Sequence, residues 1–169
     1  ELIDIVPVFN LYEEFWKIYT KQDMIEPQFI DSTAHILKTI IGAGAVIEGD
    51  VSGSVFGAGV IVEEGAVVRD SIIMKNTVIH KGAYIEKSII AENCEVGAYT
   101  KIGVGEEAES KLNSSIYAFG LATIGEKTII PANVTIGKNT AIRGVTEQSD
   151  YPQGELVSGG YIIKAGEEA

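Results

Sequence analysis

Apolar residues recur about every six positions along most of this chain, and each has a small residue two places before it. The small residue is always Ser, Thr, Ala, Val or Cys. Neither a helical period of about 3.6 residues nor a two-residue alternation produces this spacing. It is typical of hexapeptide repeats, which fold into a parallel β-helix. The apolar positions, called anchors below, are Ile36, Ile41, Ile47, Phe56, Val62, Val68, Ile73, Ile79, Ile85, Ile90, Val96, Ile102, Tyr117, Ile124, Ile130, Ile136 and Ile142.

The anchors also define a longer period. Steps of six, six and five positions lead from Phe56 to Ile73 and again from Ile73 to Ile90, so these three steps make one triangular coil. We call this interval the regular period. Gly, Asn, Lys and Glu between the anchors are typical of the corners. An irregular stretch at 48–53 shifts the preceding copy of this period out of register, and Val51 is a candidate extra anchor there. Because no coil can bury its own core, stability must come from stacking.

Three segments depart from the repeat. In residues 1–30, Asn10 with Glu13 three positions later resembles a helix start, and the apolar spacing predicts a short linker helix over about 11–18. The β-helix is predicted over 31–143, interrupted by a loop at 103–114. Residues 144–169 are expected to form a C-terminal cap or strand, with 157–164 either closing the open end or pairing with another subunit.

Composition narrows the classes of partner. The chain has 13 Lys and Arg against 24 Asp and Glu, a formal net charge of −11, which disfavours nucleic acid because phosphate contacts need clustered cations. No apolar run approaches the roughly 18 residues of a membrane span, and no basic segment typical of a signal peptide opens the sequence. A single cysteine, Cys94, fits a cytoplasmic protein and occupies a small-residue position, where we expect a buried thiol.

The sequence offers few groups for catalysis. Its two histidines, His35 and His80, lie next to anchors and are the candidate general bases, with Asp31 and Glu86 as the carboxylates that repeat geometry would place nearby. Two histidines cannot supply a three-histidine zinc site. The glycines at 42–44 and 57–59 precede no helix and are expected at corners rather than around a phosphate. We therefore assign no catalytic, cofactor-binding or metal-binding residue.

Several stretches of the chain resemble bacterial glucose-1-phosphate adenylyltransferases. The stretch Asn10 to Thr20 resembles the aromatic linker that joins their catalytic domain to a left-handed β-helix, and Glu26-Pro27-Gln28-Phe29-Ile30 resembles the start of that β-helix. The run Gly65 to Met74 is similar to the family's Gly-Ala-x-Val-x-x-Ser-Ile-Ile-Met pattern. The resemblance covers nearly the whole chain. It implies an all-β fold, a left-handed parallel β-helix of hexapeptide repeats with a short N-terminal linker helix.

The resemblance also implies a function. The family joins ATP and glucose 1-phosphate to give ADP-glucose and pyrophosphate with Mg²⁺, in a cytoplasmic pathway of glycogen biosynthesis. Its catalytic domain lies upstream of the β-helix, so this chain is expected to be a non-catalytic regulatory and oligomerisation domain within a tetramer. The implied effectors are sugar phosphates and nucleotides, which need cations. Lys21 and Arg69 are the predicted effector-binding residues because positive charge is scarce.

Several alternatives remain open at this point. A hexapeptide-repeat acyltransferase would use His80 or His35 and form a trimer. A structural module without a catalytic partner, a different sugar-nucleotide pyrophosphorylase and a catalytically impaired companion subunit of the adenylyltransferase are also compatible with the sequence.

Overall fold

A computed structural model describes residues 3–4, 8, 13–16 and 24–164. Twenty short strands account for most of its regular structure. In chain order they are β1 (Phe29–Ile30), β2 (Ile36–Leu37), β3 (Ile40–Ile41), β4 (Val46–Ile47), β5 (Asp50–Ser52), β6 (Val55–Phe56), β7 (Ile61–Val62), β8 (Val67–Arg69), β9 (Ile72–Ile73), β10 (Val78–Ile79), β11 (Tyr84–Glu86), β12 (Ser88–Ile90), β13 (Glu95–Val96), β14 (Lys101–Ile102), β15 (Ala122–Ile124), β16 (Ile129–Ile130), β17 (Thr135–Ile136), β18 (Ala141–Arg143), β19 (Glu155–Leu156) and β20 (Tyr161–Ile163).

The strands form three parallel sheets, which are the sides of a triangular prism. Sheet A has the order β1-β4-β7-β10-β13-β16, sheet B β19-β17-β14-β11-β8-β5-β2, and sheet C β20-β18-β15-β12-β9-β6-β3. Each strand pairs with its counterparts in the coils before and after it. This architecture confirms the predicted all-β parallel β-helix and is consistent with the left-handed winding that the resemblance implies.

The regular period is confirmed by the strand register. Val55 pairs with Ile72 and Ile72 with Ile89, so the short steps stack along one edge as expected. The anchors of the middle coils are fully buried and fill the prism. Ser71 shows why a small polar residue precedes them: its hydroxyl donates to the Arg69 carbonyl at 2.6 Å and accepts the Ser88 N–H at 3.1 Å. The serines therefore link consecutive coils inside a tight corner.

The irregular stretch forms a shorter coil. Ile40 pairs with Val55, two positions earlier than the regular period would place its partner. Val51 is 2% exposed and pairs with Ile36 on one side and Val68 on the other, so its predicted role as an anchor is confirmed. The short coil still buries Ile47, Val51 and Phe56 inside the prism.

The insertion is longer than the sequence indicated. No strand lies between Ile102 and Ala122, so the loop spans 103–121 rather than 103–114. The prediction of Tyr117 as an anchor is wrong, because Tyr117 is half-buried and lies in a bend; Ser115 before it is exposed and bonds to Asn113. The next coil therefore begins at Ala122, which pairs with Ser88 across twice the regular period.

The C-terminal segment continues the prism instead of leaving it. β19 pairs with β17, and β20 pairs with β18, both parallel and within the same chain. Two short 3₁₀ turns, Gln148–Asp150 and Pro152–Gly154, connect them to the preceding coil. Between these turns, Tyr151 is buried and its hydroxyl lies 2.8 Å from the Thr146 hydroxyl. Residues 165–169 lie outside the described part.

Most of the predicted linker helix, about 11–18, lies outside the described residues. Of that segment the structure describes 13–16, where Glu14, Phe15 and Trp16 form a bend. From Met24 the chain has no regular structure until it enters the prism at β1. None of the described residues belongs to a helix with the length and apolarity needed to cross a bilayer.

Candidate functional site

The solvent-facing sides of the three sheets differ in chemistry. Residues that alternate with the buried anchors point outward, since side chains along a strand alternate between its two faces. On sheet C the first four residues of this row, Ile40, Val55, Ile72 and Ile89, are all apolar. On sheet A the outward row is apolar in the first coils, and Glu95 is its first charged residue. On sheet B it is mostly polar: Asp50, Val67, Tyr84, Lys101, Thr135 and Glu155.

An open concavity of about 350 Å³ lies on sheet B near the start of the prism. β2, β5 and β8 form its floor, held by backbone bonds such as that from the Val51 N–H to the His35 carbonyl at 2.9 Å. Its charged groups are Arg69 and Asp50, with His35 at the rim. The lining residues are His35, Ile36, Leu37, Asp50, Val51, Ser52, Val67 and Arg69.

Arg69 is held in place by the next coil. It ends β8, and its guanidinium lies 5.8 Å from the centre of the Tyr84 ring, a cation–π distance. The Tyr84 hydroxyl in turn donates to Glu86 Oε2 at 2.9 Å. That hydrogen bond, with burial, raises the pKa of Tyr84. Arg69 thus places a positive charge beside the concavity, although Asp50 partly offsets it.

The other predicted effector residue, Lys21, lies outside the described residues. Arg143, the second arginine, ends β18 near the far end of the prism. Of the predicted effector residues, Arg69 is the one in the described part of the chain, and it lines this concavity.

His80 is oriented by two carboxylates, though not by those expected. Its Nδ1 lies 2.9 Å from Glu63 Oε1 and its Nε2 2.8 Å from Glu95 Oε1. The expected partners are elsewhere: Asp31 accepts from Thr33, and Glu86 accepts from Tyr84. The regular period contained the missing signal, because it places Glu63 directly beside His80 on the preceding coil.

The contacts of His80 bear on its chemistry. Burial alone would lower the pKa of His80, but the hydrogen bonds that the ring makes to the Glu95 and Glu63 carboxylates outweigh it and the pKa is raised. A general base needs a neutral ring with one nitrogen open to the substrate. Both nitrogens of His80 already face carboxylates, which argues against His80 as the general base of an acyltransferase.

Cys94 has a structural position. It is buried, and its thiol donates to the Gly125 carbonyl at 3.0 Å. Burial raises the pKa of the thiol, which disfavours the reactive thiolate. Within the described ranges, no three His, Cys, Asp or Glu side chains are grouped so that they could hold a metal ion.

The parallel prism and its buried anchors define a hexapeptide-repeat protein without a catalytic constellation among the described residues. A family model described as "GlmU-like, C-terminal hexapeptide" matches residues 27–124, more than half of the chain. The chain belongs to this family.

Curated relatives give a more specific likeness. The chain is 60% identical over 167 residues to a glucose-1-phosphate adenylyltransferase of Lachnospira eligens, covering 99% of this chain and 40% of that protein. It is 36% identical over 167 residues to the enzyme of the same name from Acetivibrio thermocellus, covering 99% of this chain and 39% of that protein. The chain thus spans about 40% of the length of these relatives.

Solved structures are more distant. A perosamine N-acetyltransferase mutant from Caulobacter crescentus matches with 16% identity and a TM-score of 0.47, over 83% of this chain and 50% of that chain. The acetyltransferase domain of PglB from Neisseria gonorrhoeae matches with 18% identity and a TM-score of 0.43, over 80% of this chain and 53% of that chain. Neither likeness is close enough to bear on function.

Proposed function

We propose that this chain is the C-terminal regulatory and oligomerisation domain of a glucose-1-phosphate adenylyltransferase. The carrying observation is the 60% identity to such an enzyme over 99% of the chain. The whole protein would convert ATP and glucose 1-phosphate to ADP-glucose and pyrophosphate with Mg²⁺, in the cytoplasm. The catalytic groups would lie in the part of the relatives that this chain does not span.

Activity of the full-length protein tests this proposal. Pyrophosphate release is measured with glucose 1-phosphate and each nucleoside triphosphate in turn. Release with ATP is expected, and sugar phosphates or nucleotides should change its rate. Release only with another triphosphate would instead indicate a different sugar-nucleotide pyrophosphorylase. No release with any of them would contradict the proposal and favour a catalytically impaired companion subunit.

The outer face of sheet C supports the oligomerisation role. Ile72 is 43% exposed at the centre of the apolar row, and solvent-exposed apolar rows of this kind mark association surfaces. We expect the full-length protein to form a tetramer. We also expect this chain to self-associate at a concentration of about 50 µM, which would detect an interface of modest affinity. A monomer in light scattering at that concentration would count against self-association.

A matched pair of variants locates the surface. Ile72→Lys should weaken association because it places a charge in the middle of the apolar row. Val78→Lys makes the same change on sheet A in the same coil, and association should persist. Equal weakening by both would show that sheet C has no special role.

Arg69 is the proposed effector contact within the described residues, with Lys21 as the second. Support comes from the concavity beside Arg69 and from the scarcity of cations in an acidic chain. Charge-assisted hydrogen bonds to phosphate contribute about 1.5–3 kcal/mol, so Arg69→Gln should raise the half-maximal activating concentration about tenfold or more. Lys21→Gln should act in the same direction.

Arg143→Gln serves as the control, since it removes an arginine from the far end of the prism. Activation is measured for each variant relative to its own rate without effector. An unchanged activating concentration in both Arg69→Gln and Lys21→Gln would place the effector phosphate elsewhere.

A further inference from the structure

His80 connects three successive coils through its side chain. Ile61 pairs with Val78 and Val78 with Glu95, so Glu63, His80 and Glu95 lie on consecutive coils along sheet A. The two ring nitrogens lie 2.9 Å from Glu63 Oε1 and 2.8 Å from Glu95 Oε1. The imidazole therefore bridges the coil below it and the coil above it.

The number of protons decides whether both contacts are hydrogen bonds. A neutral imidazole carries one N–H, and an ionised carboxylate can only accept. Both contacts can be hydrogen bonds to ionised carboxylates only when both ring nitrogens are protonated. In the neutral ring, one nitrogen lone pair would face a carboxylate oxygen and that contact would be lost.

Glu63 is fixed as an acceptor by a second bond. Its Oε2 accepts the backbone N–H of Lys81 at 2.8 Å while Oε1 faces His80. Burial alone would raise the pKa of Glu63, but the Lys81 N–H and the His80 ring outweigh it and the pKa is lowered. The shared proton therefore belongs on the imidazole and not on this carboxyl.

We propose that His80 is protonated in the folded prism and that its imidazolium joins three coils of sheet A, a contact that we call the clamp. As the pH rises, the ring loses the proton and one of the two hydrogen bonds is lost. The clamp is a pH-sensitive element built into the repeat.

The charges around the ring favour this state. Glu48 lies one coil below Glu63 at the same corner, because Ile47 pairs with Val62. Lys81 faces Glu64, with Nζ 3.3 Å from Glu64 Oε2. The coil above presents Gly97 at the position of His80, which adds no charge. The titratable groups around the ring are Glu48, Glu63, Glu64, Lys81, Glu95 and Tyr99. Four of these groups are carboxylates and one is a cation, so the surroundings favour a positively charged ring.

The direction of the pH effect follows from linkage. The pKa of His80 is raised above its ordinary value of 6.5 in the folded state. Its contribution to stability is therefore complete below the pKa of the unfolded chain and is lost as the pH rises through the folded pKa. His80 should therefore stabilise the prism most on the acidic side of neutrality.

Nuclear magnetic resonance of the imidazole nitrogens tests the proposal, since the chain has only two histidines. His35→Gln assigns the His80 signals and should leave their titration midpoint unchanged. The His80 midpoint should lie above 6.5, the ordinary value, with both nitrogens protonated below it. Glu63→Gln and Glu95→Gln should each lower that midpoint. A midpoint at or below 6.5, or one that neither Gln variant moves, would overturn the proposal.

Unfolding in urea gives a second readout. The stability that the chain loses in His80→Gln should be largest near pH 6 and should shrink toward pH 9. His35→Gln, the control, should show no such trend. A loss in His80→Gln that stays constant over this range would mean that the side chain only packs, and would overturn the clamp.

Discussion

The uninterrupted coils at 54–102 and the C-terminal part at 103–164 are stabilised in different ways. In the first region, the same few contacts recur at each turn of the regular period, as in Ser54, Ser71 and Ser88. In the second, contacts that occur once, around Asn139 and Tyr151, hold a loop and a final coil against the prism. Repetition distributes stability over many positions, whereas single contacts concentrate it on a few.

The largest expected effect comes from an anchor in the regular region. Ile85 is fully buried between coils on both sides, so Ile85→Ala should lower the free energy of unfolding by about 3–5 kcal/mol. Ile162 is half-buried in the last strand of sheet C, with a coil on one side only, and Ile162→Ala should cost about 1–2 kcal/mol. Urea unfolding followed by circular dichroism measures both. Equal losses would mean that the final coil is covered as fully as the middle ones.

Asn139 should show the next largest effect. It is buried; its Oδ1 accepts the Gly120 N–H at 2.8 Å and its Nδ2 donates to the Ala108 carbonyl at 2.8 Å. Asn139→Ala leaves two loop groups without these partners, which should cost about 3 kcal/mol and speed proteolysis within 103–121.

Asn93→Ala is the matched control. Asn93 has the same left-handed backbone as Asn139, with φ of 56° against 54°, but makes an exposed side-chain bond to Asn76. Alanine there should cost about 1 kcal/mol, mainly from the backbone. Similar proteolysis in the two variants would show that the loop does not depend on Asn139.

Tyr151 tests the C-terminal part through pH. Burial, opposed in part by the Thr146 hydroxyl, raises the pKa of Tyr151 to about 12. Because the folded pKa lies above the ordinary value of 10.0, the neutral phenol stabilises the fold below pH 10, and this stability is lost as the pH rises toward 12. Two pKa units correspond to about 2–3 kcal/mol.

Tyr151→Phe cannot ionise and should lack this alkaline loss, while costing about 1 kcal/mol at neutral pH for the missing hydrogen bond. Unfolding curves at pH 8, 10 and 11.5 compare the two proteins. Parallel alkaline losses in both would mean that other groups govern stability there.

The smallest effect is expected in the serine row. Ser71→Ala removes a hydroxyl that donates within its own corner and accepts the Ser88 N–H of the next coil, and should cost about 1–2 kcal/mol. Ser115→Ala removes an exposed hydroxyl that bonds to Asn113 in the loop, and should change stability by no more than about 0.5 kcal/mol. A larger loss at Ser115 would mean that the loop contributes more than the row.

The repeat made most of the fold predictable. The spacing of the anchors predicted which residues face inward. It also predicted the extra anchor Val51 inside an irregular stretch, and the burial of Val51 confirms that prediction. The C-terminal strands were less predictable: the sequence left open whether Tyr161–Ile163 pairs within the chain or with another subunit. Their pairing depends on tertiary packing around Tyr151 rather than on local spacing.

The loop boundary could not be read from spacing for a definite reason. Glu95 pairs with Ile129 and Lys101 with Thr135, and each pair is separated by twice the regular period. The insertion adds the length of one coil between paired strands, so the pattern stays in phase across it, and Ser115 and Tyr117 have the residue types of a repeat. Only the structure shows that this coil-length segment is a loop.

The candidate site was predictable in part. Arg69 was singled out from the scarcity of cations, and the structure places it beside a concavity. The concavity itself depends on how β2, β5 and β8 stack at the short coil, which residue types alone do not specify. The carboxylates around His80 follow from register, but Glu95 lies diagonally across the coil above and its reach depends on side-chain conformation.

Because the insertion adds the length of one coil, the loop could be deleted without changing the register of the strands that follow it. Taking out residues 104–120 would join Gly103 to Leu121, the positions that Glu86 and Lys87 hold one coil earlier, and every later strand would keep its partners. The prism can therefore gain or lose surface loops at this corner in whole-coil steps without rewriting its interior, so its outer surface can diversify while the repeat stays intact.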